Sequence, residues 1–194
     1  MKKLLSIMTM LMLLLCSTAL AKSDAEIEQQ REKIRDKSAV TLERLYEKYP
    51  AAQRVIGDCY AYATMFNSGV KIGFLGSARG RGLAVNNETG EEVFMKMSEM
   101  SGGLGLGAKE YDLIFVFEDA EAWESFIAGK TRFGSSAEAT ASDGVSGGSF
   151  EGADIAAKGT WIYQMTTKGL TLEATLKGTK FYKDKDLNKK SEAK

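Results

Sequence analysis

The residues of this chain best suited to hold an anion are Arg79 and Arg81, which lie two positions apart in the glycine-rich segment GSARGRG (residues 76–82). Residues two apart on an extended chain share one face, and two guanidinium groups on one face can hold a phosphate through paired hydrogen bonds. Gly80 and Gly82 leave the opposite face without side chains, so backbone or ligand can approach it closely. The spacing therefore indicates a phosphate site that depends on local geometry.

Two other interpretations of this segment have to be weighed. A phosphate loop of the nucleotide-binding kind requires Gly-Lys-Ser/Thr at the start of a helix, whereas these glycines run into a predicted strand at residues 83–86, so that loop is excluded. A structural role stays equally open, because the glycines can serve strand packing. The arginines can then form ion pairs with carboxylates such as those of Glu88 or Glu91.

A second glycine-rich segment, SGGLGLGAK (residues 101–109), has the glycine content of a dinucleotide loop but not its spacing. Its glycines follow Gly-x-Gly-x-Gly rather than Gly-x-Gly-x-x-Gly, and the next element is an apolar strand, not a helix whose N-terminus could receive a pyrophosphate. Gly103, Gly105 and Gly107 instead form a stripe without side chains on one strand face. A packed helix, a neighbouring strand or a flat apolar ligand such as an acyl chain can cover that stripe.

The reactive side chains give little support to an enzyme. Histidine is absent, which excludes a histidine-based triad, a histidine general base and imidazole zinc sites. Asp112 is the only acid in the apolar strand at residues 111–117, so the two carboxyl groups of a glycosidase cannot be placed. A calcium loop starting at Asp184 fails because Lys189 stands where glycine is required. The sequence predicts a protein without catalytic residues, metal or cofactor.

The charge balance excludes binding driven by an overall electrostatic field. The chain contains 26 Lys and Arg residues against 26 Asp and Glu residues, a formal net charge of +0. Nucleic acid is therefore not an expected partner, and any anion must be held by a local group of cations. Beside Arg79 and Arg81, the basic residues nearest the glycine-rich strands are Lys71 and Lys109. These four residues are the candidate phosphate ligands.

The N-terminus has the three parts of a secretory signal peptide. Two lysines provide a charged start, residues 4–15 an apolar run too short to anchor in a bilayer, and residues 19–21 (Ala-Leu-Ala) a cleavage site. We expect residues 1–21 to be removed and the mature chain to reach the periplasm or the exterior. Cys16 follows a leucine where a lipid-attachment site has a small residue, so attachment of a lipid is not expected.

A long helix is predicted at residues 24–48, ahead of the glycine-rich strands. Ser23 and Glu26 form a capping box at its start, and Pro50 stops it. Its first turns carry mixed charges and few apolar side chains, so we expect them to stand in solvent while the end beyond Val40 docks on the domain. The mixed charge and the absence of Trp and Phe favour an exposed helix over one that inserts into a membrane surface.

A second helix is predicted over residues 51–66, with a turn at residues 67–69. Small and apolar residues recur on one face of this helix at helical spacing: Ala52, Val55, Ile56, Cys59 and Ala63. This pattern favours Cys59 as a small buried hydrophobic residue over a reactive thiol or a dimer disulfide. At the other end of the chain, a charged tail at residues 184–194 is expected to be disordered.

The glycine-rich segments together resemble the SYLF lipid-binding domain. That family carries a Gly-Gly-x-x-Gly-Arg-Gly-Val-Leu block, an aromatic-led strand, a glycine-rich strand and an apolar strand. Residues 76–83 are similar to the first block, and the glycines of residues 102–107 to the third. Leu75 stands where the family has the first glycine, and residues 92–94 (Glu-Val-Phe) stand where it usually has Trp. The similarity covers roughly residues 55 to 188.

The resemblance implies an α+β fold in which N-terminal helices pack on a strongly curved, mainly antiparallel, barrel-like sheet, with the SYLF-type domain at residues 51–183. It also implies a non-enzymatic envelope protein that binds an anionic phospholipid or other amphiphile and contacts the membrane peripherally. The alternative is an envelope scaffold that binds a protein partner, since eukaryotic relatives also contact actin. The candidate ligand-binding residues are Lys71, Arg79, Arg81, Lys109, Gly103, Gly105 and Gly107.

Overall fold

The structure is a computed structural model that describes residues 23–131, 133, 151–166 and 179–189. Within the strands, residues 68–76, 78, 100–110 and 166 are described by their backbone alone. The predicted signal peptide lies outside the described residues. The helices and strands, numbered in chain order, are α1 (Asp24–Lys48), α2 (Ala51–Asp58), β1 (Ala61–Asn86), β2 (Glu92–Phe117), α3 (Ala120–Ile127), β3 (Ala153–Ala157), β4 (Thr160–Thr166) and β5 (Thr179–Lys183).

Helix α1 confirms the bounds and the cap that the sequence predicts. The hydroxyl of Ser23 accepts a hydrogen bond from the amide of Glu26 (3.3 Å), and the Glu26 carboxylate accepts one from the amide of Ser23 (2.9 Å). The helix ends before Tyr49, whose amide donates to the carbonyl of Leu45 (2.7 Å). Proline at position 50 then prevents the helix from continuing, because it has no amide hydrogen to donate.

Helix α1 docks on the domain earlier along its length than predicted: residues 24–26 are exposed as expected, but Ile27 packs against a buried cluster. Its buried face consists of Ile34, Ser38, Thr41 and Leu45. Val40, where docking was expected to begin, is 53% exposed. Two of the four buried residues are polar, and Ser38 is satisfied by a hydrogen bond from the hydroxyl of Thr64 (2.7 Å). The docking face was predicted too short because the prediction counted apolar residues only, whereas Ser38 and Thr41 are also part of the buried face.

Helix α2 ends at Asp58, so the prediction of one helix over residues 51–66 is wrong beyond that point. Cys59 terminates the helix in an extended conformation, and β1 begins at Ala61. Glycine and aspartate at the end of the helix are weak helix formers. The predicted helical face therefore holds only for its first part, where Ala52, Val55 and Ile56 are buried.

The start of β1 shows why a strand forms here. Ala61, Ala63 and Met65 belong to a cluster of buried apolar residues that also contains Phe115 and that we call the main core. The intervening Tyr62 packs against a second cluster, which contains buried residues of α1 and α2. This period of two is the pattern of a strand with both faces covered. The predicted turn at residues 67–69 is also wrong, because these residues continue β1 and pair with β2.

The described strands form one antiparallel sheet with β2 at its centre. β1 pairs with β2 along its whole length, β4 pairs with residues 111–117 of β2, and β3 flanks β4. β5 pairs with the other half of β2, at residues 95–99. Residues 113–117 are all buried, alternately in two core clusters. Apart from Asp112, residues 111–117 are apolar on both faces, a pattern that predicts the centre of a sheet, and this prediction is confirmed.

The sheet curls into a half-barrel, which confirms the predicted α+β architecture with a strongly curved sheet. β1 folds back on itself, since a Cβ atom on Gly82 would lie 2.0 Å from the carbonyl oxygen of Thr64. β2 curves as well: the hydroxyl of Tyr111 donates to the carboxylate of Glu99, which is 12 residues away. A straight strand would separate these two residues by about 40 Å.

Helix α3 closes one side of the main core. The side chain of Asp119 accepts a hydrogen bond from the amide of Ala122 (2.9 Å), and Gly129 follows the helix with a φ of 69°. The sequence predicts this short helix from Asp119 as its cap, Trp123 and Phe126 as its apolar face and Gly129 at its end, and both aromatic residues are buried in the main core. No helix in the described ranges is long and apolar enough to cross a membrane.

Residues 184–189 form a turn after β5, so the predicted disorder does not hold for them. Asp184 and Leu187 are buried. The amide of Asp184 donates to the carbonyl of Phe94 (2.9 Å), and the side chain of Asn188 bonds to both the amide (3.0 Å) and the carbonyl (2.7 Å) of Phe94. These hydrogen bonds hold the turn on β2 in spite of its charges. We call residues 184–189 the C-terminal turn.

Candidate functional site

A groove of about 800 Å³ lies between helix α1 and the curled sheet. Five of its lining residues are basic: Lys33, Lys37, Arg79, Arg81 and Lys96. Apolar side chains also line it: Ile34, Phe66, Met97 and Tyr182. This volume is in the range of small-molecule sites, about 300 to 1,000 Å³. We call it the basic groove.

The local structure explains how the cations reach the same space. Lys33 and Lys37 are one helical turn apart on α1, so both project from the same face. Arg79 and Arg81 are two apart on β1, and Lys96 lies directly opposite Arg81 in the β1–β2 pairing. The helix therefore supplies one wall of the basic groove and the sheet supplies the other, with positive charge on both.

Three of these cations have no counter-ion in the part of the chain that the structure describes. Lys33 and Arg79 form neither an ion pair nor a hydrogen bond with another described residue. The ammonium group of Lys37 lies 4.7 Å from the centre of the Phe66 ring, a cation–π contact without a carboxylate. A group of like charges without counter-ions is unfavourable unless an anion binds, so this arrangement fits an anionic ligand.

The two arginines that the sequence singles out have different surroundings. Arg79 is exposed and unpaired, as a ligand-binding role requires. Arg81 donates a hydrogen bond to the side-chain oxygen of Gln30 (3.2 Å), and its Nε lies 3.9 Å from a carboxylate oxygen of Asp184. Lys96 is closer to the same carboxylate, at 2.9 Å. Arg81 therefore has the ion-pairing role that the sequence left open, with Asp184 as its partner, whereas a phosphate-binding role of Arg79 stays a prediction.

The glycines of the first segment serve strand packing. A Cβ atom on Gly80 would lie 2.3 Å from the carbonyl oxygen of Phe66, and Gly82 faces the carbonyl of Thr64 in the same way. The close approach that these glycines permit is therefore made by the backbone of β1 itself. Gly80 also lines the basic groove.

The structure does not test the other predicted site residues. Lys71 pairs with Gly107 and Gly105 with Gly73 in the β1–β2 register, and Lys109 pairs with position 69. Gly103 lies beside the irregularity in that register between positions 73 and 75. Only the backbone of these residues is described, so their role in ligand binding stays a prediction.

Three of the five cations that line the basic groove were not predicted from the sequence: Lys33, Lys37 and Lys96. A signal for the first two was present, because two lysines four apart in a helix lie on one face. It was outweighed by the prediction that this part of α1 stands in solvent. Lys96 could be placed only through the β1–β2 register, which local spacing does not reveal.

The arginines on the neighbouring face of α1 have a structural role. Arg35 bonds to the carboxylates of Glu92 (2.9 Å) and Glu28 (2.9 Å), and its pKa is raised mainly by the hydrogen bond to Glu92. Arg31 donates to the carbonyl oxygens of Leu187 (2.9 Å) and Lys189 (2.7 Å). These contacts tie the helix to β2 and to the C-terminal turn.

Two acidic residues of β2, Asp112 and Glu99, contact other side chains of the protein. Asp112, the single acid of residues 111–117, forms an ion pair with Arg44 (3.0 Å). The buried carboxylate of Glu99 accepts hydrogen bonds from Tyr111 and Asn67, and burial followed by that hydrogen bond raises the pKa of Tyr111. Within the described ranges, no group of three or more potential metal ligands is present.

Cys59 is half-buried at the end of α2. Its thiol donates to the carbonyl oxygens of Ile56 (3.3 Å) and Ala61 (3.2 Å), and burial raises its pKa to about 11. A raised pKa lowers the thiolate fraction at neutral pH, so the thiol is a poor nucleophile. This environment agrees with the prediction of a structural cysteine, although the residue lies outside a helical face.

Comparison with known proteins decides the family. A family model described as "Ysc84: Las17-binding protein actin regulator", the SYLF family, matches residues 98–191. The chain carries a SYLF-family domain. The resemblance seen in the glycine-rich segments is thereby confirmed. SYLF domains are binding domains, and the family is not known for catalysis.

A curated relative of this SYLF protein is Beta cell expansion factor A from Aeromonas veronii. The two are 36% identical over 153 residues, which are 77% of this chain and 56% of the relative. The chain thus matches little more than half the length of that protein. The matched family region includes Tyr182 and Asp184 at the sheet side of the basic groove, whereas Lys33 and Arg79 precede it.

Proposed function

We propose that this SYLF domain binds an anionic phospholipid or a similar amphiphile by placing the phosphate in the basic groove. The observation that carries the proposal is the pair Lys33 and Arg79, one on each wall and each without a counter-ion among the described residues. A phosphate between the walls would receive charge-assisted hydrogen bonds, which contribute about 1.5 to 3 kcal/mol each. Because the whole chain has no net charge, affinity must come from this local group.

The composition of the basic groove supports an amphiphile over a purely polar anion. Ile34, Phe66 and Met97 line it beside the cations but are themselves buried, so the apolar surface open to a ligand is mainly the ring of Tyr182, which is 44% exposed. A ligand with an acyl chain or glycerol backbone gains free energy by covering apolar surface, about 25 cal/mol for each Å² removed from water. Inorganic phosphate would leave the exposed ring of Tyr182 uncovered.

Vesicle flotation tests the proposal. The variant Lys33→Ala/Arg79→Ala removes two cations that make no described contact, so it should fold normally. We expect it to bind phosphatidylcholine vesicles containing phosphatidylglycerol at least about tenfold more weakly than the wild type, a loss of about 1.4 kcal/mol. The matched control is Arg54→Ala/Lys158→Ala, which removes two exposed cations outside the groove and should keep wild-type binding.

Two results would contradict the proposal. One is a wild type that does not float with phosphatidylglycerol vesicles even at low salt, where electrostatic binding is strongest. The other is a control that loses as much binding as the groove variant, because general charge would then explain the attraction. Circular dichroism of each variant shows that any loss does not come from unfolding.

A second candidate function is binding of a protein partner in the same groove. The family description names binding to Las17, and an exposed tyrosine beside unpaired cations suits an acidic segment that carries aromatic or aliphatic side chains. This function would be favoured if the wild type ignored anionic vesicles while an acidic, aromatic peptide bound it and the groove variant did not.

The proposed location is the periplasm or the exterior. Removal of residues 1–21 would give a mature chain that starts at Lys22 and no longer contains Cys16, so it would carry no lipid there. Intact mass of the protein from an envelope or medium fraction tests this. A mass that includes residues 1–21, or an acylated chain starting at Cys16, would contradict the proposal.

A further inference from the structure

The C-terminal turn places one buried carboxylate against the sheet wall of the basic groove. Asp184 is 1% exposed. Its Oδ1 lies 2.9 Å from Nζ of Lys96, and its Oδ2 lies 3.9 Å from Nε of Arg81. Both cations also line the groove, so they stand between Asp184 and the space that a ligand would fill.

We propose that Asp184 is an internal counter-ion that limits the affinity of the basic groove for anions. It holds Lys96 and Arg81 in the way that a bound phosphate would, so a ligand must compete with it for both. The unpaired cations, Lys33 and Arg79, then contribute most of the binding. This inference rests on the function proposed for the groove.

Lys96 and Arg81 are the described cations that compensate the buried carboxylate of Asp184. Oδ1 accepts hydrogen bonds from the amides of Asp186 (3.1 Å) and Leu187 (3.4 Å). Oδ2 is buried and has no hydrogen-bond partner among the described residues. A buried carboxylate is costly unless cations or donors compensate it. Lys96 and Arg81 supply that compensation, and while they do so their charge is partly unavailable to a ligand.

The charge of Asp184 can be removed while the hydrogen bonds that hold the C-terminal turn are kept. The side chain of Asn188 holds the turn on β2 through its two hydrogen bonds to Phe94. Asparagine at position 184 would keep a side-chain oxygen to accept from the amides of Asp186 and Leu187. The substitution Asp184→Asn therefore removes the negative charge and leaves the hydrogen bonds of the turn in place.

Asp184→Asn should bind phosphatidylglycerol vesicles more tightly than the wild type, by about threefold or more, because a nearby repulsive charge is removed and Lys96 is released. The matched control is Asp186→Asn in the same turn, whose carboxylate is half-exposed and pairs only with Lys189 in the described structure (3.6 Å). It should bind as the wild type does. Affinity is measured by vesicle titration at one fixed salt concentration.

A double-mutant cycle with Lys96→Gln separates competition from a structural effect. In the wild-type background, loss of Lys96 should weaken binding less than Arg79→Gln does, since Lys96 is occupied by Asp184. In the Asp184→Asn background the loss should become larger, because Lys96 is then free to contact the ligand. Should Asp184→Asn fail to fold, the comparison of Lys96→Gln with Arg79→Gln still decides, and equal losses would overturn the proposal.

The outcomes distinguish this inference from the function on which it rests. Tighter binding by Asp184→Asn with an unchanged Asp186→Asn supports the competition. Unchanged or weaker binding by a folded Asp184→Asn protein overturns it and leaves the lipid-binding function standing. A wild type that binds no anionic vesicle overturns the function itself, and the competition with it.

Discussion

Two sets of cations on helix α1 lie within one turn of each other and differ in what they contact. Arg31 and Arg35 bond to carboxylates and backbone carbonyls, and their guanidinium groups lie 5.8 and 5.4 Å from the centre of the Phe94 ring. Lys33 and Lys37 face the basic groove without a carboxylate partner in the described structure. One set fixes the helix on the sheet, and the other is left free to bind.

The role of a charged helix residue can be assigned only once the groups that it contacts are known. The arginine fork can satisfy several oxygens at once, which suits Arg35 between Glu28 and Glu92. Lysine carries a compact charge on a flexible stem, which suits a site that stays open until a ligand arrives. We therefore expect substitutions in the arginine set to lower stability and substitutions in the lysine set to weaken binding.

The largest expected effect concerns the curled sheet that carries the second wall of the groove. Gly82→Ala should lower the free energy of unfolding by about 3 kcal/mol, because the new Cβ atom would lie 2.0 Å from the carbonyl oxygen of Thr64 and the backbone must shift. The control is Gly57→Ala on α2, where nothing lies within 4 Å and alanine favours the helix. Urea unfolding measures both. Equal stability of the two variants would mean that β1 does not fold back on itself.

Removing the structural set should affect stability and spare binding. Arg31→Ala/Arg35→Ala loses two cation–π contacts, two hydrogen bonds to the C-terminal turn and partly exposed ion pairs, so we expect a loss of about 1 to 2 kcal/mol. Vesicle binding of the folded variant should stay within about twofold of the wild type. A tenfold loss of binding at unchanged stability would contradict the division between the two sets.

Removing a single groove cation should have the reverse effect. Lys33→Ala should weaken binding to phosphatidylglycerol vesicles by about tenfold, because one charge-assisted hydrogen bond, at the lower end about 1.5 kcal/mol, is lost. Thermal unfolding should be unchanged, since the side chain has no described partner. The conservative variant Lys33→Arg should restore most of the affinity. A lower melting temperature with unchanged binding would assign Lys33 to the structural set.

The smallest effect is expected at Cys59, on an element that the ligand does not touch. Because burial raises the pKa of the thiol to about 11, the reactive thiolate is scarce at pH 8 and its labelling by maleimide should be slow. The rate should rise as the pH approaches that pKa, and denaturant should accelerate it at constant pH. Phosphatidylglycerol vesicles should leave the native rate unchanged. Rapid native labelling, or protection by vesicles, would contradict this assignment.

The sequence predicted the elements whose signals are local. The capping box at Ser23 and the proline at position 50 placed both ends of α1, and Asp119 placed the start of α3. The apolar run at residues 111–117 identified the central strand. Helix α2 was predicted too long because alternating alanines and tyrosines after Cys59 satisfy a helical pattern as well as a strand pattern.

Only part of the candidate site could be predicted, and for a physical reason. Arg79 and Arg81 are two apart in the chain, so their common face follows from strand geometry. Lys33 and Lys96 reach the same groove only because α1 docks on a sheet that folds back on itself. The contact of Asp184 with Lys96 joins residues far apart in sequence, and no local pattern encodes it.

The most direct test of the central claim is to locate a bound lipid. A phosphatidylglycerol with a photoreactive group near its headgroup would be cross-linked to the wild type in vesicles, and the modified peptides mapped by mass spectrometry. The account predicts adducts on peptides that line the basic groove, above all those containing Met97 or Tyr182, and their loss in Lys33→Ala/Arg79→Ala. Adducts elsewhere on the surface that persist in this variant would contradict the claim that the basic groove holds the phosphate.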